Sequence, residues 1–168
     1  MGVLKAAEIK PVETVKEVEI KEMDMEVTVQ GKLAPYRSVP LSKDLKEYII
    51  DTAEDCEISP ALVFAVIETE SNFDPDTVSP TGDYGLMQLN STYESMWRDK
   101  YGVYDLMDPY QNVMGGIKHL GELKEQYQHD NLVLIAYNMG EGGAEFAWSE
   151  GQWTSGYTDR VQKLMEQY

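Results

Sequence analysis

The chain has 168 residues, 42% of them hydrophobic and 26% charged, a balance that suits one soluble globular domain with a single core. Its formal charge is −16, and because residues 1–35 carry five Lys against seven acidic residues, −14 of that charge lies beyond them. Such a body excludes nucleic acid, whose phosphates need Lys and Arg to release counterions, and it is repelled by anionic polymers and membrane surfaces but not by an uncharged sugar backbone. Cys56 is the only cysteine, so neither an intrachain disulfide nor a cysteine zinc cluster is available. No apolar run approaches about 18 residues and no basic-then-apolar leader is present, so neither a membrane span nor a signal peptide is expected in the chain as given. A leader or anchor removed beforehand is compatible with that.

In chain order, residues 1–40 alternate Val, Glu, Lys and Ile loosely and close on Gly31, Pro35 and Pro40. They are expected to be a flexible linker or tether, since the one strand-like stretch, Glu26 to Val29, has nothing to pair with. From residue 41 to 168 helical signals follow closely. Ser42 caps a helix bearing Leu45, Ile49, Ala53 and Cys56, and Ser59-Pro60 opens a second with proline at its first position. That second helix, Leu62 to Ile67, is apolar on nearly every side and is expected to be central and buried. Ser91-Thr92-Tyr93-Glu94 has the form of a capping box. Asp108-Pro109 starts a helix with Val113, Ile117, Leu120 and Leu123 on one face, and Asn131 caps another that stops at Gly140. Shorter helices are predicted around Ala144 to Trp148 and from Tyr157 onward. The class is all-α, with at most a small hairpin or loop near residues 78–90.

The stretch from Ile67 to Asn90 concentrates the chemistry. The apolar helix ends on Glu70, and the chain then turns through Pro75, Pro80, Gly82 and Gly85. A carboxyl at a helix C-terminus beside an apolar wall has a raised pKa and can act as a general acid, although a terminal glutamate is just as often a solvated helix end. Glu68 is about 200° round the helix from Glu70 and cannot share its cleft. Tyr137-Asn138 precedes Gly140, Gly142 and Gly143, which either lets a ligand approach the backbone or forms a plain C-cap and turn. Tyr157 reads equally as a core tyrosine, Trp97 and Trp148 as buried, and His119 and His129 as surface residues.

Taken together these motifs resemble the catalytic domain of the soluble lytic transglycosylase family, with its lysozyme-like fold. Glu70-Ser71-Asn72-Phe73-Asp74-Pro75 is similar to the family's Glu-Ser-x-Phe-x-Pro signature. Ser79, Gly82 and Gly85-Leu86-Met87-Gln88 resemble its continuation, Ala136-Tyr137-Asn138-Met139-Gly140 its Ala-Tyr-Asn-x-Gly motif, and Tyr157 to Val161 its late Tyr-x-x-x-Val motif. The resemblance implies cleavage of the β-1,4 bond between N-acetylmuramic acid and N-acetylglucosamine in peptidoglycan, in the cell envelope or outside the cell. It implies one acid/base, Glu70, a 1,6-anhydro product, and neither cofactor nor metal. Gln88 would then bond N-acetyl or hydroxyl groups and Met87 would pack on the sugar. Tyr137 would orient Glu70 or the N-acetyl group, Ser71 and Asn138 would line the cleft, and Tyr157 would close it. Asp83, thirteen residues after Glu70, stands where the family has a small residue. The run Asp83 to Asn90 is similar to the animal-type lysozyme segment that carries a second catalytic carboxylate, so a hydrolytic muramidase is the second reading; a turn aspartate facing solvent is the plain one. A non-catalytic glycan-binding module is the third. The partner implied is a peptidoglycan glycan strand, met by a monomer that does not itself enter the membrane.

Overall fold

A computed structural model describes residues 15–168. The chain divides into two compact units, residues 1–34 and Pro35–Tyr168. In the first, α1 spans Val15–Leu33, where a tether with one strand-like stretch was expected; residues 1–14 of that tether lie outside the described residues. Glu, Lys and Met are good helix formers, and an isolated Glu26–Val29 strand would leave its backbone unpaired, whereas a helix pairs it locally. Thr28 donates its hydroxyl to the Asp24 carbonyl at 2.8 Å within that helix.

The second unit is built on six helices and one hairpin. The α2 helix (Lys43–Asp55) starts where Ser42 accepts the Leu45 N–H, and its buried stripe is Leu45, Ile49, Ile50 and Ala53. In α3 (Pro60–Ser71) proline occupies the first turn and residues 62–67 are buried without interruption. A helix apolar all round must be covered all round. Both α2 and α7 pack on α3, and the Tyr36 ring sits 4.6 Å from that of Phe64. Tyr36 and Val39 are buried with this core, so the compact unit begins at Pro35 and not at residue 41.

The chain leaves α3 through Asn72 and Phe73, both left-handed (φ 53° and 64°), and then forms an antiparallel hairpin of β1 (Asp83–Tyr84) and β2 (Leu89–Asn90). The capping box expected at Ser91 does not form. Asn90 accepts the Thr92 N–H at 2.8 Å and caps a 3-10 turn, Ser91–Tyr93, so that α4 (Glu94–Tyr101) begins one step later. Asp108 caps α5 (Pro109–Tyr127), whose Val113, Ile117, Leu120 and Leu123 are buried. The α6 helix (Asp130–Ser149) begins one residue before Asn131 and is broken at Gly140 (φ 71°, ψ 160°), the position predicted as its stop. Only glycine occupies that backbone region without strain. The last helix, α7 (Gly156–Met165), opens on a reciprocal Ser155–Thr158 capping box.

Candidate active site

The end of α3, the hairpin, the start of α4 and the Gly140 break of α6 enclose one cleft of about 670 Å³, within the roughly 300–1,000 Å³ of small-molecule sites. Glu70, Asp83, Gln88, Tyr137 and Asn138 all line it. Ser71, Met87 and Tyr157 are not among the lining residues.

Burial drives the Glu70 carboxyl up to about 7. The Tyr157 hydroxyl, donating to Glu70 Oε1 at 2.7 Å, pulls the other way, the Asp83 charge adds to the rise, and Arg160 opposes it. The result is an acid that is about half protonated at neutrality and therefore able both to give a proton and to take one. Tyr157 and Arg160 arrive together on α7, which packs against α3.

Asp83 is set up in the opposite sense. Partial burial works against its charge, but hydrogen bonds from Ser79, Thr81 and Asn90 outweigh burial and hold the carboxyl below its usual range. Ser79 Oγ and Thr81 Oγ1 each donate to Oδ2 at 2.5 Å, and Asn90 Nδ2 donates to Oδ1 at 2.7 Å. Asp83 therefore lines the cleft as a fixed carboxylate, at a position where a turn aspartate facing solvent was the plain expectation. Two carboxyls on one cleft have their pKa values pushed apart, the pattern that separates an acid from a charge stabiliser.

Between them the loop Gly85–Gln88 is held from below. Asn112, fully buried on α5, accepts the Met87 N–H at 2.8 Å and donates to the carbonyls of Tyr84 and Leu106 at 2.7 and 2.8 Å. Gly85 lies so close that a Cβ would sit 2.6 Å from Asn112 Nδ2, at a φ of 72°. Met87, expected on the sugar, is instead fully buried against Gly116 of α5. Ser71, expected at the cleft surface, turns inward: its one hydroxyl proton serves the carbonyls of Leu86 and Ile67, at 2.9 and 3.1 Å. Tyr137 donates to the Met87 carbonyl at 2.9 Å, and its contact with Glu70 is through charge, not a hydrogen bond. Tyr157, expected to close the cleft, is the tyrosine that grips the acid. Gln88 spends both amide hydrogens on the carbonyls of Gly85 and Thr77 (2.8 and 3.1 Å), and Asn138 is exposed.

His119 was expected at the surface, and only His129 is there. The His119 ring is half-buried on the cleft wall, flanked by the rings of Trp97, Tyr101 and Tyr137. Asn112 gave one sequence signal, a polar residue beside the apolar stripe of α5 and just before Gly115-Gly116. His119 gave none, because its place depends on α4 and α6. Among the described residues no group of three His, Cys, Asp or Glu side chains could hold a metal ion, and no helix is long and apolar enough to cross a membrane.

Residues 47–158 match the family model described as the transglycosylase SLT domain. The chain is 37% identical over 107 residues to the transglycosylase of Enterobacteria phage PRD1, covering 63% of this chain and 37% of that protein. It is 30% identical over 125 residues to a putative soluble lytic murein transglycosylase of Haemophilus influenzae, covering 71% and 21%. The chain thus spans well under half the length of these relatives. The 70 kDa soluble lytic transglycosylase from Escherichia coli has the same fold, with a TM-score of 0.65 at 19% identity over 90% of this chain and 29% of that one.

Proposed function

The chain belongs to the transglycosylase SLT domain family, and on that premise we propose that it is a peptidoglycan lytic transglycosylase acting in the cell envelope or outside the cell. The observation that carries the proposal is Glu70, a single carboxyl raised to about 7 and gripped by Tyr157 at 2.7 Å on the wall of a glycan-sized cleft. Protonated Glu70 gives its proton to the glycosidic oxygen as the bond from C1 of N-acetylmuramic acid breaks. The carboxylate then takes the proton of the C6 hydroxyl while that oxygen bonds to C1, leaving a 1,6-anhydro end and the original acid. Water is not consumed. The substrate's N-acetyl oxygen stabilises the positive centre between the two steps. Gln88 and Asn138 hold the sugar's polar groups, Tyr137 acts through the Met87 carbonyl by fixing the loop, and Ser71 and Met87 support it from inside. The catalytic unit is residues 35–168, and the preceding residues connect it to its setting.

A second reading keeps Glu70 as acid and makes Asp83 the nucleophile or charge stabiliser of a hydrolytic muramidase. The observation favouring it is the ionised Asp83 on the same cleft, held by three side-chain donors. Mass spectrometry of muropeptides released from purified sacculi separates the two. Anhydromuramic ends, with appreciable activity left in Asp83→Asn, fit the transglycosylase. Reducing muramic ends together with a nearly inactive Asp83→Asn would make the protein a hydrolase. A glycan-binding module without chemistry would release nothing from the start.

A further inference from the structure

His119 lines the cleft, while Lys100, Tyr101 and Glu122 line a second, charged surface pocket. Its Nδ1 is 3.1 Å from the Tyr101 hydroxyl. That hydroxyl is in turn 2.6 Å from Glu122 Oε2, which also receives the Lys100 ammonium. A phenol has one proton. The Lys100-paired carboxylate has none to give, so the proton lies between Tyr101 and Glu122, and Tyr101 offers His119 only a lone pair. The contact at Nδ1 therefore holds only with the imidazole proton on Nδ1. Burial, the largest influence on this ring, keeps it from taking up a second proton readily.

A neutral ring protonated on Nδ1 has a bare Nε2. Among the described residues no protein group hydrogen-bonds that nitrogen, and it is not among the buried polar atoms sealed without a partner. The ring itself forms part of the cleft wall. Tyr157, Asp83 and Arg160 act on Glu70; His119 is not one of the groups that tune the acid. Nothing in the tuning of Glu70 therefore calls on this nitrogen.

We propose that His119 is a glycan-binding residue whose tautomer is fixed from outside the cleft: Tyr101, held by Glu122, keeps the proton on Nδ1, so that Nε2 accepts a hydrogen bond from a sugar hydroxyl or an acetamido N–H. The proposal rests on the glycan reading of the cleft. It gives the Tyr101–Glu122 pair a role in recognition although neither residue lines the cleft, because a second partner of an imidazole decides which nitrogen carries the proton.

Long-range proton–nitrogen correlation NMR on uniformly ¹⁵N-labelled protein tests it, with His129→Gln used to assign the two histidines. The expected pattern above neutral pH is the Nδ1–H tautomer at His119, and saturating tri-N-acetylchitotriose shifts its Nε2 resonance. Tyr101→Phe should return the ring to the Nε2–H form that free histidine prefers. His119→Leu should weaken oligosaccharide binding by about two- to tenfold, the worth of one hydrogen bond, and His119→Gln, with an amide oxygen near the Nε2 position, should recover much of it. An Nε2–H tautomer in the wild-type protein overturns the proposal. So does an Nε2 resonance that stays still while the side-chain amides of Gln88 and Asn138 move with ligand. If no cleft resonance moves, the glycan reading itself has failed and this one falls with it.

Discussion

Glu70 is held in tension between a cavity that favours its neutral form and a tyrosine that favours its charge. If the neutral form is the acid, activity falls as pH rises through about 7. Tyr157→Phe removes a hydrogen bond to the carboxylate, so the descending limb of the pH profile should move to higher pH while the maximal rate drops through lost positioning. Asp83→Asn removes a negative neighbour, and the same limb should move to lower pH. Limbs that shift together, or not at all, would show that another group titrates. Glu70→Gln should lower the rate by roughly 10²–10⁴-fold, the usual worth of general acid catalysis. It should also stabilise the fold in one pH window only. Below about 4.5 both folded and unfolded chains hold the proton. From there to about 7 the unfolded chain releases it and the folded one does not, so wild-type stability declines, and above that the whole cost is present. The glutamine variant escapes the cost, gaining on the order of 3 kcal/mol at pH 8 and nothing near pH 4. Denaturant melts at the two pH values check the sign.

At the scale of elements, the site depends on a loop with no regular structure of its own, fixed by one buried amide from α5. Asn112→Ala leaves the Met87 N–H and the carbonyls of Tyr84 and Leu106 without their partner. With each unpaired group costing about 1–3 kcal/mol, the variant should lose at least 3 kcal/mol and turn over slowly even where it remains folded. A melt within 1 kcal/mol of wild type would mean that water replaces the amide. The same loop marks what the sequence could and could not say. Periodicity and caps located α2, α3, α5 and the break at Gly140, because those signals are local. Met87 and Ser71 were given outward roles and face inward, because a loop has no period from which to read a face. Which tyrosine bonds Glu70 was hidden for a similar reason: the bond from Tyr157 to Glu70 spans 87 residues, and only the packing of α7 on α3 decides which hydroxyl arrives. At Asp83 the residue type was visible, but its three donors come from both sides of a turn that only the hairpin brings together.

Among residues 21–168 every buried side chain belongs to the helical unit of residues 35–168, which makes the position of that unit's first residue a physical question. Tyr36 stacks within 4.6 Å of Phe64, Val39 is 4% exposed, and Lys46 Nζ donates to the carbonyls of both at 3.3 Å. These residues precede the first helix of the unit yet belong to its interior, so two truncations separated by only six residues should differ sharply. A chain of residues 35–168 keeps every one of these contacts and should melt as the full chain does, with its sacculus-degrading rate unchanged. A chain of residues 41–168 exposes one face of Phe64 and loses two buried side chains, worth about 1.5–3 kcal/mol each. Its melting temperature should fall on the order of 10 °C. Phe64 lies in α3, the helix that presents Glu70, so the shorter chain should also lose activity before it loses its helical signal on heating. Equal melting of the two truncations would show that Tyr36 and Val39 only rest on the core, and the boundary would then move back to residue 41.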